Sequence, residues 1–219
     1  MASIFSDINK ALETLKNGGM IILADNESRE NEGDIVTLGE TITPETVNFM
    51  IGHAKGLLCA PMSPKVAEKL GFRMMVEHST DPNQTPFTIS TDGEYHATGV
   101  TTGVSAFDRA ATIKHLATAD AKPTDFNHPG HVFPLIAKES GLLSRDGHTE
   151  ASVDLAKLCG KAPVAAIIEV IKSDGHMARR DDLAQDAKEW GLPLITIDQI
   201  KTYMVDCKFN PKFWTNLSA

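Results

Sequence analysis

The feature that most constrains the fold of this chain is an apolar run, Val164 to Ile171, that carries a carboxylate, Glu169, near its end. A short run of this kind, rich in β-branched residues, is typical of a buried strand. A carboxylate within such a strand costs free energy unless it is paired or binds something. We therefore predict a buried strand in which Glu169 serves a function, with a solvent-facing Glu169 as the alternative.

Similar short apolar runs alternate with segments of helical spacing along the chain. Further strands are predicted at 20–23, 35–38, 57–60, 87–91, 131–137 and 192–197. Helices are predicted at 4–15, from 43, from 63, at 105–118, 149–160 and 182–190, several of them opened by a capping residue. No repeat or change in composition marks a boundary. The prediction is one domain, 1–219, of the α+β or α/β class, with a mixed sheet covered by helices.

Composition and charge exclude several classes of function. Asp and Glu number 29 against 21 Lys and Arg, so the basic face that nucleic-acid binding requires is not expected. No apolar run approaches the roughly 20 residues of a membrane helix. Cys59, Cys159 and Cys207 are too far apart for a zinc motif, and their odd number argues against a disulfide framework. The sequence therefore predicts a cytoplasmic protein that binds neither nucleic acid nor membrane.

The densest group of acids is Glu30, Glu32 and Asp34, within the hexapeptide 29–34. In extended backbone, alternate side chains share a side, which would place three carboxylates within about 13 Å of one another. A hard divalent cation such as Mg²⁺ would relieve their repulsion. The sequence therefore predicts a cation site here, with a solvated charged turn as the alternative.

A second polar segment, 145–150, combines a basic residue, a glycine turn and the start of a predicted helix capped by Thr149. Free N–H groups at a helix N-terminus, the helix dipole and Arg145 together favour a bound phosphate. An ordinary capped helix would explain Thr149 alone. The spacing of these residues does not distinguish a phosphate site from an ordinary capped helix.

Two histidines, His128 and His131, flank a constrained Pro-Gly turn. A histidine titrates near neutral pH, so His131 is a candidate general base, with a surface histidine as the alternative. Thr102 lies in a small hydroxyl-rich loop, where it serves either in binding or only in shaping a turn. The sequence thus offers a third candidate segment for chemistry.

Four of these segments stand out together: Arg29–Asp34, Gly99–Arg109, Pro129–Leu135 and Gly147–Ala151. In this order they resemble the 3,4-dihydroxy-2-butanone 4-phosphate synthase family of riboflavin biosynthesis. Four ordered motifs spread over most of the chain are far more specific than any one of them. The resemblance implies a single-domain, sandwich-like fold. Since the chain lacks the cysteine cluster of the fused GTP cyclohydrolase II domain, it also implies the synthase part alone.

The same resemblance implies an activity, namely the lyase reaction that converts ribulose 5-phosphate to 3,4-dihydroxy-2-butanone 4-phosphate and formate. The route passes through a metal-stabilised enediol and a skeletal rearrangement. It implies Mg²⁺ as the cofactor, with two ions per active site, and a homodimer. Mn²⁺ is an alternative metal because a histidine ligand also suits it.

Residue roles follow from the matched positions. Glu30 and His148 are implied as metal ligands. Substrate contacts are implied for Arg29, Glu30, Asp34, Thr102, Arg145, Asp146, Gly147, His148, Thr149 and Glu169. Catalytic roles are implied for His131, Glu169, Glu32 and Asp34. The irregular stretch 78–86 is a candidate lid by its composition.

Two other functions fit the same segments. A Mg²⁺-dependent sugar-phosphate isomerase or aldolase would use the same enediol without releasing formate. A non-catalytic metal- or phosphate-binding domain would keep the binding residues and need none of the proton-transfer groups. Formate release separates the synthase from the isomerase or aldolase, and an intact phosphate site with Glu30, His131 or Glu169 dispensable would identify the binding domain.

Overall fold

The computed structural model describes residues 4–214 and contains a seven-stranded mixed sheet. The strands are β1 (Ile21–Ala24), β2 (Gly33–Leu38), β3 (Cys59–Met62), β4 (Thr91–Gly93), β5 (Phe126–Ile136), β6 (Ala165–Glu169) and β7 (Leu194–Thr196). Their order is β4-β5-β3-β6-β2-β1-β7. The β1–β7 and β3–β5 pairs are parallel, and the other neighbours are antiparallel.

Helices cover both faces of this sheet. They are α1 (Ile8–Lys16), α2 (Pro44–His53), α3 (Pro64–Leu70), α4 (Tyr95–Thr98), α5 (Ala106–Leu116), α6 (His148–Leu158), α7 (Arg180–Trp190) and α8 (Ile197–Asp206). Residues of α2, α3, α5 and α7 form one buried core, and residues of α1, α6 and α8 form the other. The predicted class, a mixed sheet covered by helices, is confirmed.

The two central strands β2 and β6 alternate between these cores. Ile35 belongs to the core under α2, whereas Val36 belongs to the core under α6 and lies opposite Ile167 of β6. Because successive strand side chains point to opposite faces, Asp34 lies on the α6 side as well. The register thereby brings the acidic end of β2 under α6.

Several element boundaries differ from those predicted. The strand β2 begins at Gly33, so Asp34 lies within it rather than in the loop before it. The strand β5 begins at Phe126, because the 126–132 segment pairs with β4 despite its proline and glycine. The predicted 87–91 strand is reduced to isolated bridges at Phe87 and Thr88, ahead of β4. Pairing with strands that are distant in sequence therefore decides where these strands begin and end.

The helix α6 also begins earlier than predicted. Gly147 occupies the N-cap position in extended conformation, and no side chain caps the helix there. Thr149 is buried in the first turn. The prediction of Thr149 as the cap is therefore wrong, because the helix already begins at His148.

No helix within residues 4–214 is both long enough and apolar enough to cross a bilayer.

Candidate active site

The centre of the site is a pair of carboxylates on neighbouring strands. Asp34 of β2 and Glu169 of β6 are register partners in the antiparallel pair, so they share one face of the sheet. Asp34 is buried, and Glu169 is partly buried with its Oε2 accepting the backbone N–H of Leu57 at 2.8 Å. The predicted strand is observed, and Glu169 lies partly buried at its end.

One cavity brings together most of the predicted site residues. Its lining includes Arg29, Glu30, Glu32, Asp34, Arg145, His148, Thr149 and Glu169. Thr85 and Phe87 also line it, so the end of the irregular stretch 78–86 lies beside the cavity. Acids occupy one part of this cavity and the start of α6 occupies another.

The acidic loop between β1 and β2 is a turn rather than an extended stretch. Residues 27–30 form the turn, and Asn31 has a positive φ of 54°. The alternation predicted for 30–34 is therefore wrong, although Glu30, Glu32 and Asp34 all line the cavity. The fold of the loop, and not the pleat of a strand, gathers them.

A buried aspartate that we did not assign from sequence organises this loop. Asp25 is 2% exposed, and its Oδ2 accepts the Glu30 N–H at 3.1 Å while its Oδ1 accepts the Glu32 N–H at 2.9 Å. Arg29 also donates to Asp25 Oδ2 at 3.0 Å. The only sequence signal for Asp25 is its position directly after an apolar run. The backbone N–H groups that it binds come near it only when the loop folds.

Glu30, Asp34 and His148 converge on one point. His148 Nδ1 lies 3.9 Å from Glu30 Oε2 and 4.0 Å from Asp34 Oδ1. These separations are too long for hydrogen bonds, so the three side chains approach one another without satisfying one another's polar atoms. Asp34 Oδ1 is buried and has no hydrogen-bond partner among the described residues. The donor set therefore fits a hard divalent cation.

Ligand atoms of Asp25, Glu30 and His148 also lie within 4.8 Å of one another. The Asp25 carboxylate already accepts three hydrogen bonds from the loop. We therefore assign Asp25 to loop anchoring and the orphaned oxygen of Asp34 to the cation side.

The electrostatics of the site favour a bound positive charge. Burial, followed by the charges of Glu169 and Glu30, raises the pKa of Asp34 well above its usual range. Burial likewise raises the pKa of Glu32. Burial lowers the pKa of His148 to about 4, so its imidazole is neutral near pH 7 and free to act as a ligand.

The other part of the cavity is the N-terminus of α6. The first-turn Thr149 lies there, and no side chain caps the helix. The Arg145 guanidinium packs over Gly147, where a Cβ would collide with it. Open N–H groups, a hydroxyl and a guanidinium together form an anion-binding arrangement.

Four predicted residues are absent from the lining of this cavity: Asp146, Gly147 at the N-cap of α6, Thr102 and His131. The Asp146 side chain is directed to Lys201 of α8, at 3.0 and 3.1 Å, so the prediction that it contacts substrate has no support from its position. Thr102 and His131 lie near the β4–α5 end of the sheet, and both are exposed. The cavity of this chain is built without them.

His131 forms a defined pair with an aspartate that sequence reasoning missed. Asp92 of β4 accepts the His131 backbone N–H at 2.9 Å, and its Oδ2 lies 2.7 Å from the ring Nδ1. This carboxylate orients the ring through Nδ1, and the His131 side chain remains partly exposed. Nothing local in the sequence links the two residues, because β4 and β5 are brought together only by sheet pairing.

Comparison with known proteins agrees with this architecture. Residues 9–203 match the family model described as 3,4-dihydroxy-2-butanone 4-phosphate synthase. The chain is 52% identical over 200 residues to "Riboflavin biosynthesis protein RibBA" of Bacillus cereus (strain G9842), covering 91% of this chain and 49% of that protein. RibBA of Bacillus mycoides (strain KBAB4) matches to the same extent. The chain thus spans about half the length of these curated relatives.

Two solved structures match over almost their whole length. A 3,4-dihydroxy-2-butanone 4-phosphate synthase in complex with two magnesium ions superposes with a TM-score of 0.89 at 38% identity, covering 94% of this chain and 99% of that one. The synthase of Candida albicans superposes with a TM-score of 0.84 at 41% identity, covering 92% and 99%. By fold and by sequence, the chain belongs to the 3,4-dihydroxy-2-butanone 4-phosphate synthase family.

Proposed function

We propose that this chain is a lyase of riboflavin biosynthesis that converts ribulose 5-phosphate to 3,4-dihydroxy-2-butanone 4-phosphate and formate. The observation that carries the proposal is one cavity that joins an acidic cation cluster, Glu30 with Asp34 and His148, to the anion-binding start of α6. A sugar phosphate has hydroxyl and carbonyl oxygens at one end and a phosphate at the other. The two parts of the cavity match those two ends.

Mg²⁺ is the proposed cofactor, held by Glu30 and His148 with Asp34 adjacent. The relative described with two magnesium ions supports two ions per site. When bound, the metal polarises carbonyl and hydroxyl oxygens of the substrate and stabilises the negative charge that develops there. Oxygen-rich ligands favour Mg²⁺, and the single imidazole leaves Mn²⁺ as an alternative.

The protein's own groups then have distinct tasks. Arg145, Thr149 and the first N–H groups of α6 bind the phosphate, which holds a flexible substrate in one geometry. Glu32 and Glu169 border the cavity with partly exposed carboxylates, so they are placed to move protons to and from substrate hydroxyls. Arg29 pairs with Glu30 and fixes it beside the cavity.

We also propose a homodimer in which His131 and Thr102 serve the cavity of the second copy. The His131–Asp92 pair is oriented like a proton-transfer group, yet it lies away from its own chain's cavity. Large apolar side chains nearby are exposed, with Tyr95 at 60% and Phe107 at 70%. An apolar face beside an oriented histidine is consistent with burial against another copy.

A reducing compartment such as the cytoplasm suits the chain. The structure has free thiols at Cys59, Cys159 and Cys207, and burial raises the pKa of the Cys159 thiol to about 11. Buried thiols held in the protonated form are stable in a reducing environment.

Formate release from ribulose 5-phosphate tests the proposed function. Purified chain with Mg²⁺ is expected to produce formate and a four-carbon ketone phosphate, and EDTA is expected to stop both. Restoring excess Mg²⁺ should restore turnover, which controls for damage by the chelator. A ketose isomer without formate would instead identify an isomerase, and no reaction with retained phosphate binding would identify a binding domain.

A further inference from the structure

Two buried carboxylates on α6 face the segment that leads into the phosphate-binding end of the cavity. Glu150 and Asp154 are four residues apart, so they project from the same side of the helix. Both are fully buried. Neither was assigned a role from the sequence, and neither lines the cavity.

Glu150 holds the segment 138–145 at both of its ends. Its Oε1 accepts the backbone N–H of Lys138 at 3.1 Å, and its Oε2 accepts a guanidinium N–H of Arg145 at 2.7 Å. A charge-assisted bond of this length to a buried carboxylate fixes the plane of the guanidinium. The second terminal nitrogen of Arg145 donates to the Asn83 carbonyl at 3.0 Å.

Asp154 holds the middle of the same segment. Its Oδ2 accepts the Leu142 N–H at 2.9 Å, within the tight turn at 141–143. Gly141 has a φ of +52°, and a Cβ there would collide with this carboxylate. The turn can therefore approach the Asp154 carboxylate this closely only because residue 141 is a glycine. The Arg145 N–H in turn donates to the Gly141 carbonyl at 3.3 Å.

We propose that Glu150 and Asp154 are positioning residues of the phosphate site. Glu150 sets the orientation of the Arg145 guanidinium, and Asp154 sets the turn from which Arg145 extends. The guanidinium is planar with five donors, so fixing two of its nitrogens determines where the remaining donors point. The inference rests on the proposed function only in naming the phosphate of the substrate as the anion. The geometry itself applies to any phosphate bound at the start of α6.

The principal variant is Glu150→Gln, which keeps an oxygen for the Lys138 N–H and removes the charge that orients Arg145. We expect the KM for ribulose 5-phosphate to rise roughly tenfold, as for the loss of one charge-assisted hydrogen bond, while kcat changes far less. Binding of inorganic phosphate, measured by calorimetry, should weaken by a similar factor. Glu40→Gln is the matched control. Glu40 also accepts hydrogen bonds from one backbone N–H and one cationic side chain, but it does not line the cavity.

A double-mutant cycle with Arg145→Lys separates positioning from general destabilisation. If Glu150 acts through Arg145, adding Glu150→Gln to Arg145→Lys should change the KM little further. Fully additive effects, or unchanged phosphate affinity in Glu150→Gln, would overturn the proposal for Glu150.

Asp154 supplies a second test that does not depend on how Glu150→Gln folds. Asp154→Asn keeps an acceptor for Leu142 and is expected to bind inorganic phosphate like the parent, whereas Asp154→Ala is expected to bind it several-fold more weakly. Equal affinities in the two variants would overturn the role of Asp154. Phosphate binding needs no turnover, so an absence of formate production would count against the proposed reaction and not against this inference.

Discussion

Asp34 and Glu169 lie directly opposite each other on β2 and β6, on the face of the sheet that α6 covers. Two carboxylates in this position repel each other, and Asp34 is almost completely buried. Such an arrangement destabilises the fold unless a cation offsets the charge. The proposed cation site and the stability of the protein are therefore linked at this pair.

The first prediction concerns that linkage. In EDTA, Asp34→Asn should unfold at a temperature at least as high as the parent, because the buried like charge is removed. Mg²⁺ should raise the melting temperature of the parent by a few degrees and that of the variant by much less, since only the native state binds the ion. Calorimetric scans with and without Mg²⁺ measure both effects. Asp206→Asn, at an exposed position, is the control.

Turnover should show the opposite trend at the same residue. Formate production by Asp34→Asn is expected to fall by orders of magnitude at saturating Mg²⁺. Near-normal turnover in the variant would remove Asp34 from the metal site and from the mechanism.

A second prediction tests whether two copies share one site. Glu30→Gln and His131→Ala should each be inactive alone, because one disrupts the cation cluster and the other the proton-transfer pair. Refolded together in equal amounts, they should recover about a quarter of parent activity, since half of the dimers carry one intact site. Formate production by the mixture measures the recovery. A mixture as inactive as its parts would place His131 and the cavity in the same copy.

A third prediction concerns the Asp92–His131 pair. Gly103 has a φ of +87°, and a Cβ there would collide with Asp92 and lie close to the His131 ring. Gly103→Ala should therefore lower kcat by displacing the pair, with little effect on the KM. Gly99→Ala is the matched control, because its φ is +76° but its Cβ would meet nothing within 4 Å.

The kcat values of these two alanine variants distinguish displacement of the Asp92–His131 pair from general backbone strain. Both substitutions carry the strain of a left-handed residue, about 1 kcal/mol, and the collision at Gly103 adds to it, so the melting temperature should fall further for Gly103→Ala than for Gly99→Ala. An equal loss of kcat in both would assign the effect to backbone strain and not to the histidine.

The fourth prediction is a pH dependence of stability that originates in Asp154. Burial raises its pKa from 3.8 to about 6, against the opposing effects of the Leu142 N–H and Lys157. Between about pH 4 and pH 6 the folded state therefore holds a proton that the unfolded chain has released. The free energy of unfolding should fall as pH rises through this range, by up to about 1.4 kcal/mol per pH unit for this one group.

Asp154→Asn stays neutral at every pH and should remove this contribution. Denaturant unfolding at several pH values, compared between variant and parent, measures the difference curve. The variant should gain stability relative to the parent as pH rises from 4 to 6. A flat difference curve would show that Asp154 titrates at its ordinary pKa in the folded protein.

Much of the local structure was predictable from the sequence. The apolar run around Glu169 is the strand β6, and the Thr43 and Ser63 caps begin α2 and α3. These signals act over one helical turn or a few strand residues, where spacing and capping chemistry decide the conformation. The motifs also identified the family, which the fold and the comparisons confirm.

Other parts of the site were beyond such local signals. Asp25 and Asp92 act through hydrogen bonds to backbone and side-chain groups. The folding of a loop brings these groups near Asp25, and the pairing of strands brings them near Asp92. Asp146 follows Arg145 directly, yet the packing of α8 draws its side chain toward Lys201. Neighbours in sequence need not share a site.

The sequence alone determined which residues are candidates for the chemistry: the acids before and within β2, the carboxylate in β6, and the basic turn before α6. Only the tertiary structure decided that Asp34 faces Glu169, that His148 lies beside both Glu30 and Asp34, and that His131 lies outside their cavity. The physical reason is the separation along the chain over which each kind of interaction acts. Side-chain spacing fixes local conformation, whereas strand order and register depend on burying both faces of the sheet, which involves the whole chain at once.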